Sequence, residues 1–170
     1  MRSWLNRRSV VLAALGLLAL GCQSHKAGSL QAPDFKLKDL SGKTVQLSQF
    51  RGHPVLIDFW ATWCAPCIFS IPSTEAFYEA NKAKGLVVLG LNMNEDPSDV
   101  FPAVKKLKIT YPVLFAGNST VPQEYALEGL PLFVIVDGQG RVVQRYDGYS
   151  PEVGEDIEAQ LTKLLKTSNS

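Results

Sequence analysis

Two cysteines, Cys64 and Cys67, stand two residues apart in Leu56-Ile57-Asp58-Phe59-Trp60-Ala61-Thr62-Trp63-Cys64-Ala65-Pro66-Cys67. A thiol pair at this spacing can close on itself and open again, so it can exchange electrons with another disulfide. The thiolate is the attacking form. At the start of a helix, the first thiol would meet unpaired N–H groups and the positive end of the helix dipole. Both favour the anion and lower the pKa of Cys64. Cys67 lies one turn further on, within bonding reach of Cys64 and more deeply placed. Pro66 suits the first turn, where its missing N–H costs little. The run ahead of the pair is apolar except for one acid, Asp58. A carboxylate in such a strand needs a reason.

Other chemistries stay open for the pair. Structural zinc commonly takes two such pairs, or a pair plus histidines. Here there is one pair, with His25 in a polar N-terminal stretch and His53 well ahead of Cys64. Two thiolates also suit Cu(I), which would make the chain a copper chaperone. A static disulfide over two intervening residues would constrain little of the unfolded chain and is a poor staple. The spacing fits redox exchange best. No metal ligand set is assigned, and no cofactor is needed beyond the Cys64–Cys67 disulfide.

Several elements must position these residues. Phe35 to Leu47 alternates apolar and polar residues around Ser41-Gly42, the pattern of a β-hairpin. Pro54 opens Val55–Trp60, a strand apolar enough to be covered on both faces. Ser70 to Lys84 reads as a helix stopped by Gly85 and bent at Pro72. Leu86–Asn92 is a second buried strand, and a helix from Pro97 or Ser98 to about Lys108 follows. Asn92-Met93-Asn94, just past the buried strand, could reach a site, but reads first as an inert connection between them. Tyr111–Phe115 is a short strand, Gln123–Leu127 a brief helix and Leu132–Val136 a strand. Asp137–Gly140 turns the chain into Arg141–Tyr146. A final helix from about Pro151 to Leu165 carries Val153, Ile157, Leu161 and Leu164/Leu165 on one face. This order predicts an α/β sandwich with a mixed sheet.

The chain has 170 residues, 46% of them hydrophobic, with 17 Lys and Arg against 16 Asp and Glu. That supports one domain of about 130–140 residues with a real core. The near-balance of charge, with no run of Lys or Arg in the body of the chain, gives no sign of an electrostatic nucleic-acid binder, which needs a clustered basic excess. Arg2, Arg7 and Arg8 precede the apolar run Val10–Leu20, too short to span a bilayer and of signal-peptide length. The reading is a signal peptide over 1–21. Leu18-Ala19-Leu20-Gly21-Cys22 resembles the bacterial lipobox, which implies lipidation of Cys22. That would remove the odd third thiol and leave one clean pair. Residues 22–32 are then a lipidated cysteine and a polar tether, reaching roughly 15–20 Å, and 33–170 is the domain.

Asp58-Phe59-Trp60-Ala61-Thr62-Trp63-Cys64-Ala65-Pro66-Cys67 resembles the active-site strand and loop of the thioredoxin family. Residues 32–67 together are similar to the N-terminal part of exported TlpA/ResA-type thiol–disulfide oxidoreductases, as is the strand–helix unit between Leu86 and Lys108. The resemblance implies a thioredoxin-like three-layer sandwich with a mixed central sheet, an N-terminal β-hairpin and an inserted strand–helix unit. Asp58 stands six residues before Cys64, where thioredoxins carry a buried carboxylate. There it would take the proton of Cys67, directly or through a water; an exposed acid on a half-open strand is the other reading. Leu130-Pro131 resembles the family's cis-proline loop, whose preceding residue can pair with substrate backbone. Trp63, Ala65 and Pro66 would flank the substrate, while Phe59 and Trp60 are expected in the core. Relatives often carry a glutamate soon after the second cysteine; here Ile68-Phe69-Ser70 follows, giving a more apolar surface.

The implied activity is reduction of disulfides in exported proteins, such as the cysteines of apocytochrome c. A membrane thiol donor of the CcdA/DsbD type would restore the dithiol. The implied place is the periplasmic face of a bacterial membrane, held by the lipid, and the expected form is a monomer. Peroxide reduction on a related fold is an alternative, although Ala61-Thr62-Trp63-Cys64 lacks the Thr or Ser three residues before the cysteine that such enzymes carry.

Overall fold

The alternation around Ser41-Gly42 closes a hairpin in the computed structural model, which describes residues 30–94 and 96–168. Its strands, β1 (Lys36–Lys38) and β2 (Thr44–Gln46), pair antiparallel as a small sheet of their own. Asp39 Oδ1 accepts from the Ser41 and Lys43 N–H groups, and Gly42 takes the positive φ of 83° that the turn requires. A 3-10 turn over Leu47–Phe50 follows, unannounced by the pattern.

β3 (Val55–Trp60) is buried at all six positions. It runs parallel to β4 (Val87–Asn92), which runs parallel to β5 (Val113–Phe115). On its other side it pairs antiparallel with β6 (Leu132–Val136), which pairs antiparallel with β7 (Val142–Asp147). The order is β5-β4-β3-β6-β7, a mixed five-stranded sheet as expected.

Alternation along β3 sends its residues to two separate cores. Val55, Ile57 and Phe59 pack with the hairpin residues Phe35, Leu37 and Val45, and with Val121 and Tyr125. Leu56 and Trp60 pack on the opposite face with Cys64, Cys67, Ile71, Tyr111, Phe133 and Leu161. On that face lie α1 (Ala65–Asn81), α2 (Val100–Leu107) and α4 (Pro151–Ser168); α3 (Val121–Glu124) lies on the hairpin face. This is the three-layer sandwich the resemblance implied, with the strand–helix unit present as β4 and α2. In α4, Ile157, Leu161 and Leu165 are buried, as their spacing predicts.

Several boundaries differ from the sequence expectation, and four of the differences have a visible physical cause. α1 begins at Ala65 rather than Ser70, because Cys64 caps it, and it continues unbroken across Pro72. α2 is preceded by a 3-10 turn over Pro97–Asp99 and stopped by Lys108 in the left-handed region. α3 starts at Val121, two residues early, and Ala126, at φ 47°, turns the chain after it. β5 begins at Val113, since Pro112 cannot donate to a ladder and Tyr111 turns into the helix-side core.

The expected boundary at residue 33 is also corrected. Gln31 bridges to Arg141, the Ala32 N–H donates to the Gly140 carbonyl (2.9 Å), and the Leu30 carbonyl accepts from the Val142 N–H (2.9 Å). Ala32 is itself buried. Leu30–Ala32 therefore belong to the fold and not to the tether. The signal peptide over 1–21, Cys22 and residues 23–29 lie outside the described residues. Among the described residues no helix is long and apolar enough to cross a membrane.

A chain beginning at Pro33 should be about 1–3 kcal/mol less stable than one beginning at Leu30, from two lost backbone hydrogen bonds and the uncovered Ala32 site. Urea unfolding of the two forms checks this.

Candidate active site

The carboxyl end of β3 delivers the chain to the cysteines. After Trp60 a tight turn, in which the Cys64 N–H donates to the Ala61 carbonyl (3.2 Å), brings Cys64 to the N-cap of α1. Cys64 and Cys67 are joined as a disulfide. The Cys64 sulfur also accepts from the Cys67 N–H at 3.3 Å. One of the unpaired N–H groups of the helix start thus points at the sulfur that would carry charge after reduction. Cys64 keeps 5% of its surface exposed and Cys67 none. Cys64, the less completely buried of the two, is the attacking candidate, and Cys67 is the internal partner.

Around the pair, Trp63 is 70% exposed and Ala65 and Pro66 are open to solvent. Phe69 is 67% exposed, its ring edge-on to Tyr149 at 6.0 Å. The surface beside the disulfide is apolar, as the missing acid after Cys67 led one to expect. The Leu130–Pro131 peptide bond is cis. Because Leu132 pairs with Phe59, Pro131 arrives at the level of Trp60, the end of the sheet that carries the disulfide. Leu130 is half-buried and packs against the cluster containing both cysteines. Phe59 and Trp60 are fully buried, as expected of core residues.

Asp58 is fully buried, on the side of the sheet that also carries Leu56, Trp60 and the cysteines. The exposed-acid reading is therefore excluded. Both carboxyl oxygens lack a protein hydrogen-bond partner. Loss of hydration raises its pKa to about 7. A carboxyl with that value can accept and return a proton near neutrality.

Of the two readings of Asn92-Met93-Asn94, the structure bears out the one in which these residues reach the site. Asn94 Oδ1 accepts from the Thr62 N–H (2.9 Å), and its Nδ2 donates to Thr62 Oγ1 (2.7 Å). Its own N–H donates to Asn92 Oδ1 (3.0 Å), and the Met93 N–H donates to the Trp60 carbonyl (2.8 Å). The connection read as inert is a brace that fixes the loop two residues before Cys64. Two asparagines just past a buried strand, able to imitate backbone hydrogen bonding, were the available signal. Among the described residues no group of three or more His, Cys, Asp or Glu side chains gathers to hold a metal ion.

A five-stranded mixed sheet, a Cys-x-x-Cys disulfide capping the helix after its central strand and a cis-proline at the same end together define a thioredoxin-fold redox site. Comparison with known proteins agrees. Residues 26–161 match the Redoxin family, and the chain belongs to that family as a thiol–disulfide oxidoreductase of the TlpA/ResA type. It is 31% identical over 134 residues to the thiol-disulfide oxidoreductase ResA of Bacillus thuringiensis subsp. konkukian, covering 79% of this chain and 76% of the relative. It is 30% identical over 148 residues to ResA of Bacillus subtilis, covering 84% and 82%. Among solved structures, a putative thiol:disulfide interchange protein DsbE from Chlorobium tepidum superposes with a TM-score of 0.77 at 31% identity, covering 81% of this chain and 96% of that one.

Two outcomes follow from the geometry. The pKa of Asp58 is raised on folding, so between about pH 4 and pH 7 the folded state binds more protons than the unfolded one. Stability must then fall as pH rises through that window, by up to about 4 kcal/mol. Asp58→Asn should remove that slope in urea titrations of the oxidised protein. Asn94→Ala leaves the buried-side Thr62 groups without partners and should cost about 1–3 kcal/mol. It should also slow disulfide exchange by loosening the loop, measurable as the rate of Cys64 alkylation in the reduced protein.

Proposed function

We propose that this protein is a reductant for disulfide-bearing exported proteins, with Cys64 as nucleophile, Cys67 as resolving thiol and Asp58 as proton acceptor. The observation that carries the reading is the asymmetry of the pair. Cys64 is the less completely buried and faces a helix N–H, while Cys67 is covered on the same side of the sheet as an uncharged-leaning carboxyl.

The Cys64 thiolate attacks one sulfur of the substrate disulfide. The other substrate sulfur leaves as a thiolate and takes a proton from solvent. Asp58, ionised, takes the proton of Cys67. The Cys67 thiolate attacks Cys64 and expels the second substrate thiolate, which Asp58 or solvent protonates. Two electrons have passed to the substrate, and the 64–67 disulfide remains. A thiol donor of the membrane CcdA/DsbD type returns the electrons. Trp63, Ala65, Pro66 and Phe69 offer an apolar border to the polypeptide being reduced, and Leu130 beside Pro131 offers backbone for strand-like pairing. The resemblance supports apocytochrome c cysteines as substrates. The N-terminal pattern supports export, lipidation at Cys22 and membrane attachment, and the protein is read as a monomer acting without a dissociable cofactor.

The experiment is a reduction assay on a disulfide-bonded polypeptide such as insulin, paired with a redox titration against dithiothreitol. Wild-type protein should reduce the substrate, Cys64→Ser should not, and Cys67→Ser should accumulate the mixed disulfide. A potential near that of thioredoxin, about −270 mV, fits a reductant, whereas one near −120 mV reverses the proposed electron flow.

A further inference from the structure

Asp58 is not the only buried polar group without a partner on its side of the sheet. Trp60 Nε1, the Tyr111 hydroxyl and Asn92 Nδ2 are also buried and unpaired within the protein. Their placement is not scattered. Asp58 lies opposite Gly90 in the β3–β4 register, and Trp60 lies opposite Asn92. A Cβ built on Gly90 would stand 2.9 Å from Tyr111 Cε2 and 3.1 Å from Trp60 Nε1. The space beside Asp58 that a β4 side chain would fill is therefore occupied by the phenol ring and the indole N–H. Adjacent strands are only about 4.8 Å apart, so an acceptor-rich carboxyl and these donors share one small volume. Buried polar groups left unpaired are rare because each is costly. Several gathered around one carboxyl are explained if they serve it.

We propose that Tyr111 is a positioning residue for Asp58. Through one buried water its hydroxyl, together with the Trp60 N–H, hydrogen-bonds to the Asp58 carboxylate and stabilises the ionised form that accepts the Cys67 proton. Tyr111 gives no proton away. Burial, and secondarily the charges of Asp58 and Glu75, push its hydroxyl pKa well up, so it remains a donor across the working range. Among the described residues no cation competes for the role. β4 presents Gly90 and Asn92, and β6 presents Phe133. α2 and α4 turn Val100, Ile157, Leu161 and Leu165 inward. α1 presents the cysteine pair and Glu75, whose carboxylate accepts from the N–H of Thr110, next to Tyr111. Apart from the thiols, Tyr111 is the ionisable side chain brought beside Asp58, with Tyr78 of α1 edge-on to it at 5.9 Å and Glu75 beyond.

The proposal rests on the reading of Asp58 as proton acceptor, and its test separates the two. Cys64 of the reduced protein is converted to its mixed disulfide with 5-thio-2-nitrobenzoate, and release of the coloured thiol reports attack by Cys67. The pH dependence of that rate is measured for wild type, Tyr111→Phe, Asp58→Asn and the double variant. Tyr111→Phe keeps the ring and removes only the hydroxyl. It should move the midpoint upward by about one pH unit and slow release about tenfold below the midpoint. Asp58→Asn should abolish that midpoint, and adding Tyr111→Phe should then change nothing further. Difference infrared spectra should show the protonated carboxyl band of Asp58 displaced in Tyr111→Phe, a change that a purely structural role for the ring would not cause. An unchanged midpoint in Tyr111→Phe, with Asp58→Asn still abolishing it, overturns the role of Tyr111 alone. A full Tyr111→Phe effect that persists in the Asp58→Asn background also overturns it. If Asp58→Asn leaves the profile intact, the reading of Asp58 falls and the proposal with it.

Discussion

β3 is covered on both faces along its whole length, and the rest of the molecule is arranged to meet that constraint. A strand with no solvent-facing side needs two layers above and below it. The hairpin, α3 and Tyr125 supply one, and α1, α2 and α4 supply the other. It also needs hydrogen-bonded neighbours on both edges, which β4 and β6 provide. The carboxyl end of such a strand is rigid. Whatever side chains follow it are held in place by the packing of the entire domain, and here the cysteines follow it.

Within that layer one position departs from apolar filling. Asp58 accepts full loss of hydration with no cation nearby, a cost that packing elsewhere must offset. Local consistency is expected to fail where function requires it, and under the proposed mechanism this carboxyl is such a place. The same face holds the unpaired indole N–H, phenol hydroxyl and asparagine amide. The polar exceptions in this core are concentrated beside the redox pair, not distributed through it.

Much of this was legible in local pattern. The continuous apolar run gave β3 to the residue, because a doubly covered strand leaves no polar alternation to blur its ends. The Cys-x-x-Cys spacing and the Leu-Pro dipeptide before β6 marked the redox end through resemblance, and the amphipathic period of α4 marked its buried stripe. The chemistry of the thiol pair put a helix start at Cys64, whereas the local pattern began the helix only at Ser70; the structure sides with the chemistry, the Cys64 sulfur accepting from the Cys67 N–H. Asn94 was read as inert first, and Tyr111 was given no role, for another reason. Asn94 meets Thr62 across 32 residues, and Tyr111 meets Trp60 across more than that. Such encounters are set by strand register and by the bend at Pro112, not by any nearby periodicity.

The attachment of Leu30–Ala32 beside Gly140 and Val142 has a directional consequence. Val142 pairs with Val136, and Val136 with Val55, so this contact lies at the opening end of β3, whereas the disulfide lies beyond its closing end. The two are separated by the length of the strand, about 20 Å. The domain is therefore polar in the mechanical sense, with a handle at one end and a working tip at the other. A bead, a fused carrier or a lipid surface gripping the chain ahead of Leu30 would meet the blunt pole, leaving Trp63 and Cys64 turned toward the surrounding solution.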